Sequence, residues 1–338
     1  MQPVEALRRI AFLLERAHEA TYRVRAYRTA ANVAEALPEG ELAARAAAGT
    51  LTELAGIGPK TAAALTEAVR GETPAYLVTL QGGAADPVTT GGEGMRAALR
   101  GDCHTHSDWS DGGSPIREMA LAARDIGHDY VVLTDHSPRL TVANGLTAER
   151  LHEQLAVVAA LNEELAPFRI LTGIEVDILD DGALDQDSAL LAQLDLVVAS
   201  VHSKLRMDSE HMTRRMVAAI ANPHVDVLGH CTGRLLSGRG RPESTFDADL
   251  VFEACRRFDV AVEINSRPER LDPPKRLLRQ AVEAGCRFTI DTDAHAPGQL
   301  DWQPYGCVRA EECGVEPERV LNTRDAGDLL GWTGSHER

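Results

Sequence analysis

From Asp102 onward the chain alternates short apolar runs with longer stretches of helical periodicity. The runs are "DYVVLTDH" (129–136), "FRILTGIEVDI" (168–178), "LDLVVASVHS" (194–203), "VDVLGH" (225–230), "VAVEIN" (260–265) and "RFTIDTDAH" (287–295). An opening run at 102–106 makes seven. This alternation predicts an α/β domain over residues 99–338. Almost every run ends in His, Asp, Glu or Asn. In a β/α barrel the C-terminal strand ends converge on one face, where a site is built.

Residues 1–79 follow a different rhythm. Leu7, Ile10, Leu14 and Ala17 recur at helical spacing, as do Ala26, Ala30, Val33 and Leu37, with no strand-like alternation. A small all-α domain is predicted there. The segment "LQGGAADPVTTGGEG" (80–94) gathers Gly pairs, a Pro and small polar residues, which predicts a linker over 80–98.

Composition narrows the class. No apolar run reaches the length of a membrane span. The six cysteines form no CxxC pair and are too sparse for a disulfide framework, so a reducing cytoplasm is expected. Residues 1–80 carry nine acidic and nine basic side chains, so the whole net charge of −16 falls on the remainder. That excludes a generic basic nucleic-acid coat.

The polar strand ends carry the chemistry. In "GDCHTHSDWSDGG" (101–113), strand alternation points His104 and His106 the same way, as it does Asp293 and His295 in "DAH". Asp111, His136, Glu175, His202 and His230 complete nine candidate metal ligands, six imidazoles and three carboxylates. A lone HxH is usually incidental. Six strand-end histidines among only twelve in the chain are not. The other six (His18, His128, His152, His211, His224, His336) read as structural or solvated, and Cys103 and Cys231 as packing residues facing away from the site. A first-row ion takes roughly four to six ligands, so nine point to two or three ions with Glu175 as a bridge.

In this order, "HTHSDWSDG", "TDH", "GIEVDIL", "SVH", "GH" and "DTDAH" resemble the motifs of the polymerase and histidinol phosphatase (PHP) superfamily of metal-dependent phosphoesterases. The wording is most similar to the PHP domain of bacterial family X DNA polymerases, and it runs from about Gly101 to Val308. The resemblance implies a distorted seven-stranded β/α barrel. It implies one ion on His104, His106, Glu175 and Asp293, a second on Glu175, His202 and His230, and a third on Asp111, His136 and His295. Divalent Mn or Zn is implied, with Fe(II) also compatible. Some members carry His where this chain has Asp111, and the carboxylate in its place favours harder ions such as manganese. A metal-bound hydroxide would attack phosphorus in line. Glu175 and Asp293 would act at the reacting centre with Lys204 and Arg267, while Lys204, Arg206, Arg234 and Arg267 follow strand ends and could clamp phosphate. Asp135 reads as an orienting group.

"LTELAGIGPKTAAALTEAV" (51–69) has the form of a helix-hairpin-helix, and "YRVRAYRTAANVAEALP" (22–38) resembles the start of the small DNA-end-binding domain of family X polymerases. Gly56, Gly58 and Lys60 would touch backbone phosphate at a helix N-terminus, with Arg23, Arg25 and Arg28 as a second patch. The polymerase palm of those enzymes has no counterpart between the two domains, "DQD" (185–187) reads as helix-start acid, and Lys60 is the only lysine of the helical domain. Polymerase and Schiff-base lyase activities are therefore not expected. The reading is a phosphoesterase acting on DNA strand ends or gaps, a 3′→5′ exonuclease or end-processing enzyme. Its rivals are a small-molecule phosphatase, for instance of histidinol phosphate, and a barrel kept only as a structural module.

Overall fold

The computed structural model describes residues 1–84 and 88–336. The chain divides into two compact units, Met1–Val88 and Thr89–Arg338.

The first unit is all helical: α1 (Pro3–Arg16), α2 (Thr21–Glu35), α3 (Glu41–Ala48), α4 (Pro59–Val69) and α5 (Ala75–Ala84). Leu7, Ile10 and Leu14 of α1 are fully buried against Ala30 and Ala31 of α2 and Leu65 of α4. Between α3 and α4 the chain makes a hairpin turn at Gly56-Ile57-Gly58. Gly56 has φ +92°, and a Cβ there would meet the Thr29 methyl at 2.8 Å, so both conformation and space demand glycine. Ile57 is the turn's apolar anchor. Pro59 opens α4, and the Gly58 N–H donates to Thr61 Oγ1 at 3.0 Å.

The second unit is a β/α barrel. Strands β1 (Gly101–Thr105), β2 (Tyr130–Leu133), β3 (Arg169–Asp177), β4 (Leu196–Ser200), β5 (Val227–Leu228), β6 (Ala261–Asn265) and β7 (Phe288–Asp291) lie in sequence order, and every pairing is parallel. Six fall within the runs read from the sequence, and β1 begins one residue before its run, at Gly101. The alternation of period 2 gives these strands an outer apolar face: Ile174 and Val176 of β3, Val197 and Ala199 of β4, and Val262 and Ile264 of β6 pack on the surrounding helices. A separate cluster fills the other end of the barrel. Tyr130, Leu196, Val227 and Ala261, each the first residue of its strand, meet Leu321, Leu329 and Trp332 from the C-terminal segment. The opposite, C-terminal end of the strands is left to polar groups.

The linker expected over 80–98 differs from what is found. Helix α5 continues through Gly82 and Gly83 to Ala84, and another helix covers Glu93–Ala98. Residues 85–87 lie outside the described residues. Burial overrides composition here, because Met95 and Leu99 insert into the barrel's main apolar cluster.

Closure between β1 and β7 is made largely by side chains. Backbone contact is limited to a bridge at Thr105 and Ala294, with the His106 N–H donating to Ala294 O at 2.8 Å. Below it, the Asp291 carboxylate accepts the Cys103 N–H at 2.8 Å and the Asp102 carboxylate accepts the Thr292 hydroxyl at 2.5 Å. Asn322, fully buried, completes the seam. Its amide donates to Gly101 O (3.0 Å) and Ile290 O (2.8 Å), and its carbonyl accepts the Ile290 N–H (3.0 Å). Gln303 donates to the same two carbonyls.

Two stability predictions follow from this packing. Asn322→Ala orphans the Ile290 N–H and opens the seam, costing about 2–3 kcal/mol, which a thermal melt should record as a drop of roughly 4–10 °C. His128 is buried before β2 with no hydrogen-bond partner for either ring nitrogen among the described residues. Burial, with Arg96 nearby, pushes it down to about 3. Below about pH 6.5 the unfolded chain takes up a proton that the folded chain refuses, so this residue costs about 1.4 kcal/mol of stability per pH unit on the way down. His128→Leu should therefore gain about 3 kcal/mol on the native protein when denaturant melts at about pH 7 and about pH 4.5 are compared.

Candidate metal centre

Every sequence-derived ligand position comes to the C-terminal end of the barrel. Glu175, near the end of β3, is the centre of the arrangement. Its Oε1 lies 2.9 Å from His230 Nε2 and 3.2 Å from His202 Nε2. Its Oε2 lies 2.8 Å from His136 Nδ1, 3.4 Å from His104 Nε2 and 3.7 Å from His106 Nε2. His106 Nε2 is also 3.4 Å from Asp293 Oδ1. Towards the mouth, Asp111 Oδ1 sits 3.4 Å from His136 Nε2 and 3.3 Å from His295 Nε2. Burial grades the set from His104 and His106 (0%) to Asp111, which is 37% exposed at its side chain.

The donor set fits cations. The Nε2 atoms of His104, His106, His202 and His230 and both oxygens of Glu175 are buried with no hydrogen-bond partner among the described residues. Orphaned donors and acceptors at this density cost several kcal/mol unless something coordinates them. The outer nitrogens of His104, His202 and His295 are already engaged. His104 Nδ1 donates to Glu263 Oε1 at 2.6 Å, His202 Nδ1 to Asp177, and His295 Nδ1 to the Asp293 carbonyl at 2.9 Å. Each of these bonds puts the lone pair of Nε2 towards the centre, as a metal ligand requires.

Three ligand sets have mutually close donor atoms: His104, His106 and Glu175; His136, Glu175 and His202; and His106, Asp111, His136 and His295. The partition differs in part from the expected one. His136 faces both the bridge and the mouth, because its two ring nitrogens address Glu175 and Asp111. His106 likewise reaches towards both the deep and the outer set.

Electrostatics holds Glu175, His106 and Asp293 in ligating forms, whereas the carboxylates beside His104 and His202 outweigh burial and raise both imidazoles. Burial pushes the Glu175 carboxyl up, but His202, His104 and His136 outweigh it and bring it well below the ordinary carboxylate range. His106 is brought well down by burial and by His295 and His136, which keeps it neutral. Asp293 is likewise held well below the usual range: the His106 hydrogen bond and the charge of Arg270 override its burial.

The expected cationic clamp is largely committed elsewhere. Lys204 extends to an ion pair with Asp180, its side chain 65% exposed, and does not line the cavity. Arg206 is exposed. Arg234 donates to the carbonyls of Arg270 and Leu271. Only Arg267 lines the cavity, and its guanidinium donates to the Asp293 carbonyl at 2.9 Å. For Arg234 and Arg267 the reason is local: carbonyls in the turns after β6 and β7 demand donors, and the nearest arginines supply them.

Asp135 accepts from the Ser107 N–H (2.8 Å), Ser110 Oγ (2.5 Å) and Gln154 Nε2 (2.7 Å), so it shapes the loop carrying Asp111. Asp187 caps a short helix by accepting the Ala189 N–H at 2.9 Å. Cys103 and Cys231 pack in apolar clusters.

Three functional groups were absent from the sequence reading. Glu263 orients His104 and accepts the His230 N–H at 2.5 Å. Asp177 orients His202. Arg270, buried beside the cavity, places Nε 3.0 Å from Asp293 Oδ2. Alternation marks the first two, since Asp177 follows Glu175 by two and Glu263 precedes Asn265 by two. Nothing in the spacing marks Arg270. The cavity over the centre measures about 420 Å³ and includes Arg267, Arg270, Leu140, Leu235 and Ser237 in its wall.

In the helical unit the four expected arginine and lysine contacts divide. Arg28 is bound to buried Glu15 at 2.9 Å, and Arg23 donates to Tyr76 Oη at 2.6 Å and pairs with Glu19 at 2.5 Å. Arg25 and Lys60 are exposed with no side-chain hydrogen bond or ion pair among the described residues, and Gly56 and Gly58 are exposed beside Lys60 in the chain. Arg25, Tyr22, Thr29 and Gly56 line a groove of about 520 Å³.

Known proteins match both units. Residues 102–267 match the PHP domain and residues 1–74 a helix-hairpin-helix domain. The DNA polymerase/3′-5′ exonuclease PolX of Bacillus subtilis is 44% identical over 231 residues, which is 68% of this chain and 40% of that protein. A probable phosphatase of Photobacterium profundum is 30% identical over 212 residues, 57% of this chain and 77% of that protein. A solved histidinol phosphate phosphatase from Lactococcus lactis, complexed with Zn, L-histidinol and phosphate, superposes with a TM-score of 0.47 at 18% identity, covering 64% of this chain and 95% of that one.

Glu263→Gln should lower divalent-ion affinity by about 10–100-fold, because the His104 ring loses its charged anchor. Competition with a chromogenic chelator reads the loss, and an unchanged far-UV spectrum separates it from unfolding.

Proposed function

Because the chain belongs to the PHP family, and is a phosphoester hydrolase with a helix-hairpin-helix domain, we propose that it hydrolyses phosphate esters at DNA strand ends or gaps. The reaction would be 3′→5′ exonucleolytic or end-processing work in repair. The observation that carries the hydrolytic half is the convergence of five imidazoles on Glu175 with their inward nitrogens unpartnered. The DNA half is supported by the exposed Gly56–Lys60 turn with uncommitted Lys60 and Arg25, and by the similarity to PolX, of which the chain covers 40%.

The nine ligand residues would hold two or three divalent ions, manganese or zinc. When bound, such ions lower the pKa of a water and neutralise charge on the phosphoryl oxygens. The chain's own residues do the rest. Glu175 offers one oxygen to each side of the centre. Glu263 and Asp177 keep His104 and His202 in the ligating tautomer. Arg270 and Arg267 hold Asp293 at its carboxylate and its carbonyl respectively, which fixes the side chain. Burial of the inner set in the barrel excludes bulk solvent and so strengthens each of these contacts.

A second reading, a small-molecule phosphomonoesterase such as a histidinol-phosphate phosphatase, is favoured by one observation: the barrel carries the whole −16 charge and should repel a long polyanion. A gel assay distinguishes the two. With manganese, 5′-labelled single-stranded and gapped DNA should be shortened stepwise. Glu175→Ala and His106→Ala should each slow this by roughly a hundredfold or more. A metallated protein that leaves both DNAs intact while hydrolysing small phosphomonoesters would establish the second reading.

A further inference from the structure

Around the centre, the loops after β2, β4 and β5 leave the barrel on its C-terminal face. Most basic side chains there are committed internally, as described for Lys204, Arg234 and Arg267. Three are not. Arg139, Arg206 and Arg239 are exposed and make no side-chain hydrogen bond or ion pair among the described residues. Each belongs to a different one of these loops. Two of the loops also expose apolar side chains, Val142 at 91% and Leu236 at 54%.

Arg139, Val142, Leu236 and Arg239 adjoin the cavity through the chain itself, and Arg206 follows the cavity-lining His202 by four residues. Leu140, next to Arg139, lines the cavity, and so do Leu235 and Ser237 on either side of Leu236. The β5 loop has a fixed base and a projecting tip. Leu235 and Arg241 bond backbone to backbone, the Leu236 N–H donates to Glu269 O at 2.6 Å, and Arg234 ties the base to the turn after β6. At the tip, Gly238 and Gly240 both have φ +65° and flank Arg239. Left-handed glycines on both sides turn the backbone sharply and present Arg239 to solvent.

Resting on the DNA-end reading above, we propose that this arc is the strand track. Arg139, Arg206 and Arg239 engage the phosphates that flank the scissile one, and Leu236 and Val142 meet the bases of an unpaired end. The alternation of guanidinium with apolar surface suits a single-stranded nucleic acid, where each nucleotide offers an anionic group and an apolar ring face. A free phosphomonoester is accommodated within the cavity and has nothing to place on the arc. On a chain of net charge −16, uncommitted arginines grouped at the mouth also supply the local attraction that the barrel as a whole lacks.

The test uses the full chain, loaded with manganese, and the double variant Arg139→Gln/Arg239→Gln. A fluorescein-labelled single-stranded oligonucleotide and p-nitrophenyl phosphate are the two probes. The oligonucleotide KM should rise roughly tenfold, and the slope of log binding constant against log salt should flatten by about 1.4, or about 0.7 for each lost phosphate contact. Turnover of p-nitrophenyl phosphate should not change. Leu236→Ser alone should raise the oligonucleotide KM without altering the salt slope. An unaltered KM and slope in the double variant overturn the proposal, and so does an equal loss on both substrates. A wild-type protein that hydrolyses p-nitrophenyl phosphate but neither binds nor cuts the oligonucleotide overturns the DNA-end reading, and the strand track with it.

Discussion

A carboxylate with both oxygens buried among five imidazoles is the constraint on which the barrel depends. Glu175 is 1% exposed, and no N–H of the protein satisfies either of its side-chain oxygens. Ionised and alone, such a group would be expelled to water or neutralised. It is kept because the surrounding groups are arranged to hold positive charge. The same constraint explains the carboxylates behind the ring: Glu263 and Asp177 turn imidazoles inward that would otherwise turn outward to find partners.

That arrangement needs seven strand ends held in register, and the seam between β1 and β7 is where register is at risk. A full backbone ladder is missing there. Asn322, Gln303, Asp102 and Asp291 replace it with side-chain bonds. Burial, chiefly, raises Asp102 to about 6, and burial together with the neighbouring Asp102 raises Asp291 well above the carboxylate range. The seam therefore joins the two strands that carry His104, His106, Asp293 and His295. Stability and chemistry share these residues, so lesions in the seam should act on both.

The helical unit shows the same competition between scaffold and surface. Arg28 neutralises buried Glu15 and Arg23 serves Tyr76, which leaves Arg25 and Lys60 as the groups free to meet an anion. On the barrel, Arg234 is drawn to carbonyls of the turn after β6 and Arg267 to the Asp293 carbonyl after β7, and the uncommitted arginines stand further out on the loops. A basic residue near a site is available to substrate only when no buried acceptor lies closer.

The sequence alone determined the strands, their order along the chain and the nine groups that meet at their ends. Those features follow from short-range rules: an apolar run of a given length makes a buried strand, and alternation puts His104 with His106 on one side, whereas Asp293, at φ +53° beyond the end of β7, is placed by a left-handed turn and not by alternation. The Gly56-Ile57-Gly58 turn was equally legible, since positive φ and a near-contact with Thr29 leave room for no other residue at Gly56. Tertiary structure decided which ligands pair with which, because His136 and His106 each face two sets and only the closed barrel fixes the distances. It also decided the fate of the charged side chains. Arg270, Glu263, the internal pairs of Lys204 and Arg28, and the helices within the glycine-rich 80–98 stretch depend on acceptors and apolar surface contributed by distant segments, and no local pattern encodes where those will lie.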